Sequence, residues 1–102
     1  MSKQDQRQNV LVIMCDQLRP DFLSAYGADF IPTPNIDALA ADGVVFDNAI
    51  TASTVCAPAR MSFLTGLPVS GHDSWTNEIP ARDGTEYMPE RLSAAGYMTA
   101  AV

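Results

Sequence analysis

Apolar positions along this chain come in short continuous runs, separated by segments in which they recur every three or four residues. Val10 to Met14 is apolar at every position, the pattern of a strand buried on both faces of a parallel sheet. It ends abruptly in "CDQLRPD". The segment "TPNIDALAADG" then takes up a helical period. Thr33 can cap its start, Pro34 suits the first turn, Ile36, Leu39 and Ala40 fall on one face, and Gly43 stops it. "VVFDNAI" returns to a strand pattern. After a loop from Thr51 to Val55, "PARMSFLTG" has Pro58 near its start and Gly66 just past its end, which predicts a short helix with Cys56 at or before its N-terminus. "LPVSGHDSWTNEIPARDG" is rich in turn formers and is expected to be a long loop. "MPERLSAAG" predicts a third helix, and "YMTAAV" the start of another strand.

Strands alternating with helices predict an α/β fold with a mainly parallel sheet flanked by helices. Residues 1–9 form a polar tail and residues 10–102 the folded body, with no internal repeat or low-complexity tract. The last residues fall inside an expected strand, so the chain is expected to be the N-terminal segment of a larger enzyme.

Composition narrows the partners. At 102 residues and 47% hydrophobic the chain is apolar enough to fold. Twelve acidic residues against six basic give a net charge of -6, which repels a polyanionic backbone and argues against nucleic acid. The run "VLVIMC" is too short for a membrane span or a signal-peptide core, so no membrane partner and a cytoplasmic location are expected. Two cysteines without CxxC spacing argue against a disulfide framework and against a zinc site.

In open α/β sheets ligands gather beyond the carboxyl ends of the strands, which draws attention to Asp16 and Gln17 directly after the first run. Spacing alone leaves Asp16 two readings, a residue that ends a strand and caps a turn, or a hard oxygen ligand for a divalent metal. Cys56 is likewise open. At a helix N-terminus a thiol is acidified and an anion is favoured, and Arg60, on the same helical face, can grip a tetrahedral oxyanion. The alternative is a small core residue beside a solvated charge. A thiolate phosphatase needs a longer gap between Cys and Arg than the three residues here, so a direct thiolate nucleophile is disfavoured.

These residues resemble the sulfatase family. "CAPAR" matches its Cys-x-Pro-x-Arg signature and "MSFLTG" continues the match. "NVLVIMCDQLRPD" is similar to the family's first strand and metal-binding turn, "TPNIDALAADGVVFDNAI" to its first helix and second strand, and "MPERLSAAGYMTAAV" to its next helix and strand. The resemblance implies an alkaline-phosphatase-like α/β fold and a sulfuric ester hydrolase. It implies that a maturation enzyme, reading Pro58 and Arg60, oxidises Cys56 to formylglycine. The hydrated aldehyde then supplies the attacking oxygen, and its second hydroxyl expels the ester group. Arg60 would orient that group, while Asp16, Gln17 and the modified Cys56 would contribute to the metal site.

One departure bears on the substrate. Many members have a second aspartate where this chain has Gln17. The Asp-Gln form resembles a branch that includes choline sulfatases and phosphonate monoester hydrolases. Calcium is the usual sulfatase metal, and manganese or zinc is found in the phosphonate branch. The resemblance therefore implies a small sulfate ester as substrate, or in the alternative a phosphonate or phosphate ester. Asn77 resembles a substrate-site asparagine of that branch, with a local turn role as the other reading. His72 is expected to serve at the surface or in packing, Arg19 and Asp21 to pair with neighbours, and Cys15 to be a small buried residue. A third reading is an inactive fragment or binding module, because the family's leaving-group residues and later metal ligands have no counterpart in these 102 residues. The isolated chain is then expected to bind metal weakly and to turn nothing over.

Overall fold

Proline openings and glycine stops set the helix boundaries in the computed structural model, which describes residues 7–101. The chain divides into two units, one ending at Asp47 and the other starting at Asn48.

In the first unit Pro20 begins a 3-10 turn, Pro20–Phe22, and a second turn, Ser24–Tyr26, closes on Gly27 in the left-handed region at φ 95°. Helix α1 runs Pro34–Asp42, with Thr33 as N-cap, Pro34 in the first turn and Gly43 as C-cap. The Thr33 side chain does not cap an α1 amide. Its oxygen accepts the Ser24 N–H at 3.0 Å, lies 2.7 Å from the Ser24 hydroxyl, and donates to Asp37 Oδ1 at 3.1 Å. Thr33 N–H returns a bond to Ser24 Oγ at 2.9 Å, so the pair clasps the 3-10 turns to the start of α1. Arg19 and Asp21 form a two-pronged pair at 3.0 and 2.6 Å, as expected of residues that pair with neighbours. The Arg19 guanidinium stands 5.9 Å from the Phe22 ring centre, and Phe22 meets Phe30 edge to face at 5.3 Å.

The second unit holds α2, Cys56–Thr65, α3, Val69–His72, and α4, Met88–Ala94. Helix α2 ends on Gly66 at φ 69°, whose N–H bonds the Ser62 carbonyl at 2.9 Å. A side chain on Gly66 would meet nothing within 4 Å, so only its backbone conformation demands glycine. Gly66→Ala is expected to lower stability by about 1 kcal/mol, and Gly66→Asn by less, in urea unfolding of the whole protein. Helix α4 opens with the Glu90 carboxylate accepting the Tyr87 N–H at 2.9 Å. Within the segment expected to be a long loop, one turn of helix, α3, forms between Pro68 and Asp73.

The expected strands are absent among the described residues. Val10 to Met14, Val44 to Ile50 and the described residues from Tyr97 have no strand pairing. A strand's N–H and C=O groups need a partner ladder, and a run that is apolar on both faces needs cover on each. Neither is supplied here: Leu11 is 84% and Val44 78% exposed. For the same reason Cys15 is exposed rather than buried. Ile36 and Leu39 on the α1 face are exposed too. The described residues have no buried apolar side chain except Pro58; what is buried is otherwise polar, namely Ser62, His72 and Ser74. No helix among them is long and apolar enough to cross a membrane.

Candidate active site

Helix α2 presents its first residue, Cys56, to solvent. The approach is ordered locally. The Thr51 hydroxyl donates to the Ser53 carbonyl at 2.8 Å, and Ser53 Oγ accepts the N–H of Val55, the N-cap, at 3.1 Å. Arg60 follows Cys56 by one helical turn and is exposed, in the position from which a guanidinium can reach a group at residue 56.

Asn77 comes to the same turn of helix from twenty residues further on. Its Oδ1 accepts the Ala57 N–H at 2.9 Å, so a distant side chain satisfies one of the first amides of the helix. Of the two roles open to Asn77 in the sequence, a purely local turn is excluded. With Oδ1 committed to the helix, the amide nitrogen is the end left to donate elsewhere.

This arrangement changes the anion-binding reading of the helix end. Pro58 has no N–H, Ala57 donates to Asn77, and Ala59 donates to the Val55 carbonyl at 3.1 Å. The Cys56 amide is then the first-turn donor left to meet an anion.

Behind the turn lies a buried polar cluster that sequence reasoning did not assemble. His72 is 0% exposed. Its Nδ1 accepts the Ser74 N–H at 3.1 Å, which leaves the ring proton on Nε2 to donate to Ser62 Oγ, 2.9 Å away on α2. The Ser74 hydroxyl donates to the Ile79 carbonyl at 2.7 Å, and the His72 carbonyl accepts the Arg82 N–H at 2.8 Å. Arg82 Nη2 also donates to the Gly71 carbonyl at 2.7 Å. Of the surface and packing roles expected of His72, its burial excludes the first, and both ring nitrogens are hydrogen-bonded. The one legible sign of Ser62 was its place four residues after Pro58, a polar residue on the face that Pro58 buries.

In the first unit, Asp16 and Gln17 form an exposed turn, with Gln17 in the left-handed region at φ 50°. A non-glycine residue held there marks a locally constrained turn. The Asp16 carboxylate and the Gln17 amide oxygen are hard donors of the kind that calcium or manganese takes, whereas an unmodified Cys56 sulfur is not. Calcium needs about six to eight oxygens. Among the described residues no group of three or more His, Cys, Asp or Glu could hold a metal ion. By donor type, Asp16 and Gln17 would supply only part of such a set.

Comparison with known proteins gives a consistent answer. The family model described as Sulfatase matches residues 8–102. The chain is 40% identical over 96 residues to the multifunctional alkaline phosphatase superfamily protein PehA of Trinickia caryophylli, covering 89% of this chain and 19% of that one. It is 38% identical over 98 residues to an arylsulfatase of Clostridium perfringens, covering 91% and 20%. It is 37% identical over 94 residues to a choline-sulfatase of Rhizobium meliloti, covering 92% and 18%. The chain thus spans about a fifth of the length of these relatives. No solved structure matches it.

Proposed function

Because the chain belongs to the sulfatase family, we propose that residues 10–102 are the N-terminal portion of a catalytic domain that hydrolyses small sulfuric esters at residue 56. The observation that carries this reading is the first turn of α2. Cys56 is exposed at its first position, Arg60 stands one turn on, and Asn77 is tied to the amide between them.

On this reading a maturation enzyme converts Cys56 to formylglycine, and its exposure at a helix start suits access by such a partner. Formylglycine, when formed, supplies an aldehyde-hydrate oxygen as nucleophile, and a divalent metal, calcium by family habit, supplies positive charge beside it. Asp16 and Gln17 would hold part of that metal's shell. Arg60 orients the group at 56 and offsets charge on the ester's non-bridging oxygens. Asn77 directs its amide nitrogen at the bound ester, its carbonyl being fixed on α2. The remaining ligands and the groups that handle the leaving alcohol would come from other parts of a sulfatase-length protein.

A second reading uses the same residues on phosphorus, as a phosphonate monoester or phosphodiester hydrolase with manganese or zinc. It is favoured by Gln17 in place of the second aspartate, and by the identity to PehA, whose name places it in the alkaline phosphatase superfamily. Kinetic profiling of a sulfatase-length protein carrying these residues separates the two. Aryl sulfate is expected to be hydrolysed with the highest kcat/KM. Sulfate turnover at background, with phosphonate monoester or phosphodiester hydrolysed, would replace the first reading by the second.

A further inference from the structure

His72 is the largest wholly buried side chain of the described residues, and the chemistry at Cys56 makes no use of it. Both ring nitrogens are engaged, one on helix α2 through Ser62 and one on the main chain of the following loop through Ser74. A residue that only filled space would not need both. The loop it anchors is closed on itself. Ser74 Oγ holds the Ile79 carbonyl, and Arg82 N–H returns to the His72 carbonyl, so residues 72–82 form a ring rooted at His72. Near the tip of that ring stands Asn77, bonded to the amide next to Cys56. An exposed asparagine on an unbraced loop would lose this bond readily to water, because holding it costs the backbone entropy of the whole segment.

We propose that His72 is a positioning residue of the active site: by linking Ser62 of α2 to the Ser74 amide, it fixes the 72–82 loop so that Asn77 stays seated on the Ala57 amide beside residue 56. The consequence for turnover rests on the sulfatase reading, whereas the link from His72 to Ala57 does not. Rigid placement matters because small displacements of a substrate-positioning group are costly in rate.

The test is residue-resolved amide hydrogen exchange on the full-length protein, read at Ala57, together with kcat and KM for an aryl sulfate. Asn77→Ala sets the scale, since it removes the acceptor outright. His72→Ala is expected to speed exchange at Ala57 by about tenfold or more, approaching Asn77→Ala, while the Gly66 amide at the far end of α2 keeps its protection. His72→Asn can keep the acceptor for the Ser74 amide, and His72→Gln can keep a donor for Ser62. Each is expected to restore part of the protection at Ala57 and part of the turnover, with kcat moving more than KM. Ala57 exchange at the wild-type rate in His72→Ala overturns the proposal. If His72→Ala does not fold, wild-type exchange in both His72→Asn and His72→Gln overturns it equally. Failure of the sulfatase reading shows separately, as absence of aryl sulfate hydrolysis by the wild-type protein.

Discussion

Cys56→Ala, introduced into a sulfatase-length protein carrying this segment, is expected to abolish aryl sulfate hydrolysis, with kcat falling on the order of 10^4-fold or more. On the proposed reading the attacking oxygen is built from this side chain, and nothing else in the first turn of α2 would replace it. Ala57 and Ala59 carry no nucleophile, and Pro58 is buried. The substitution removes a sulfur that is exposed and contributes no packing, so the helix and its caps should survive and far-ultraviolet circular dichroism should be unchanged. Cys56→Ser is the sharper control. A serine hydroxyl can be phosphorylated or sulfated but, unlike a hydrated aldehyde, has no second hydroxyl with which to expel the transferred group. It should therefore show at most a single turnover, read as a stoichiometric burst. Mass spectrometry across residue 56 after coexpression with a maturation enzyme should show a loss of about 18 Da from the wild-type peptide and none from either variant. Full steady-state activity in Cys56→Ala would sink the reading of this residue.

Arg60 carries the second large effect. The first turn of α2 has little backbone left with which to greet an anion, since Asn77 occupies the Ala57 amide and Pro58 has none. On the proposed reading, the burden of stabilising negative charge then shifts to the guanidinium one turn along. Arg60→Ala in the matured protein is expected to lower kcat by on the order of 10^2 to 10^3-fold, the usual loss on removing one preorganised donor from developing charge. Arg60→Lys should recover only part of this, because an ammonium keeps the charge without the fork that meets two oxygens at once. Maturation must be measured alongside, because on the proposed reading Arg60 belongs to the stretch that a maturation enzyme recognises. The comparison is made per mole of aldehyde, by labelling with an aminooxy probe. Equal kcat for Arg60→Ala and wild type on that basis would remove Arg60 from the reaction.

What could be read from the sequence follows from how far each determinant reaches. Helix ends are written within a few residues. Pro34 and Gly43 for α1, and Gly66 for α2, act through their own backbone, and the observed boundaries fall where they stand. The Cys-x-Pro-x-Arg stretch was legible because it resembles a family signature, while its spacing alone left Cys56 and Arg60 open. The strand runs were legible only as patterns. Val10 to Met14 has the composition of a doubly covered strand, but a strand is completed by a neighbour, and none pairs with it among the described residues. Cys15 was misjudged along with it. His72 was the reverse case: a lone histidine among glycine, serine and aspartate looks like a loop residue. Its burial depends on Ser62, ten positions earlier, and no local pattern announces such a pair. Asn77 stands between these cases. The asparagine was visible, while its partner, the Ala57 amide, could be assigned only once the chain had folded back.

The ring from His72 to Arg82 separates what has to be kept from what is free to change. Its root is fixed by the imidazole, its neck by Ser74 on the Ile79 carbonyl, and its one inward contact at the tip is made by Asn77. Between these fixed points Trp75, Thr76 and Glu78 are exposed. Changes in their size or charge leave the hydrogen bonds of His72, Ser74 and Asn77 in place. The ring is thus a frame whose outer surface can be rewritten without loosening its anchors.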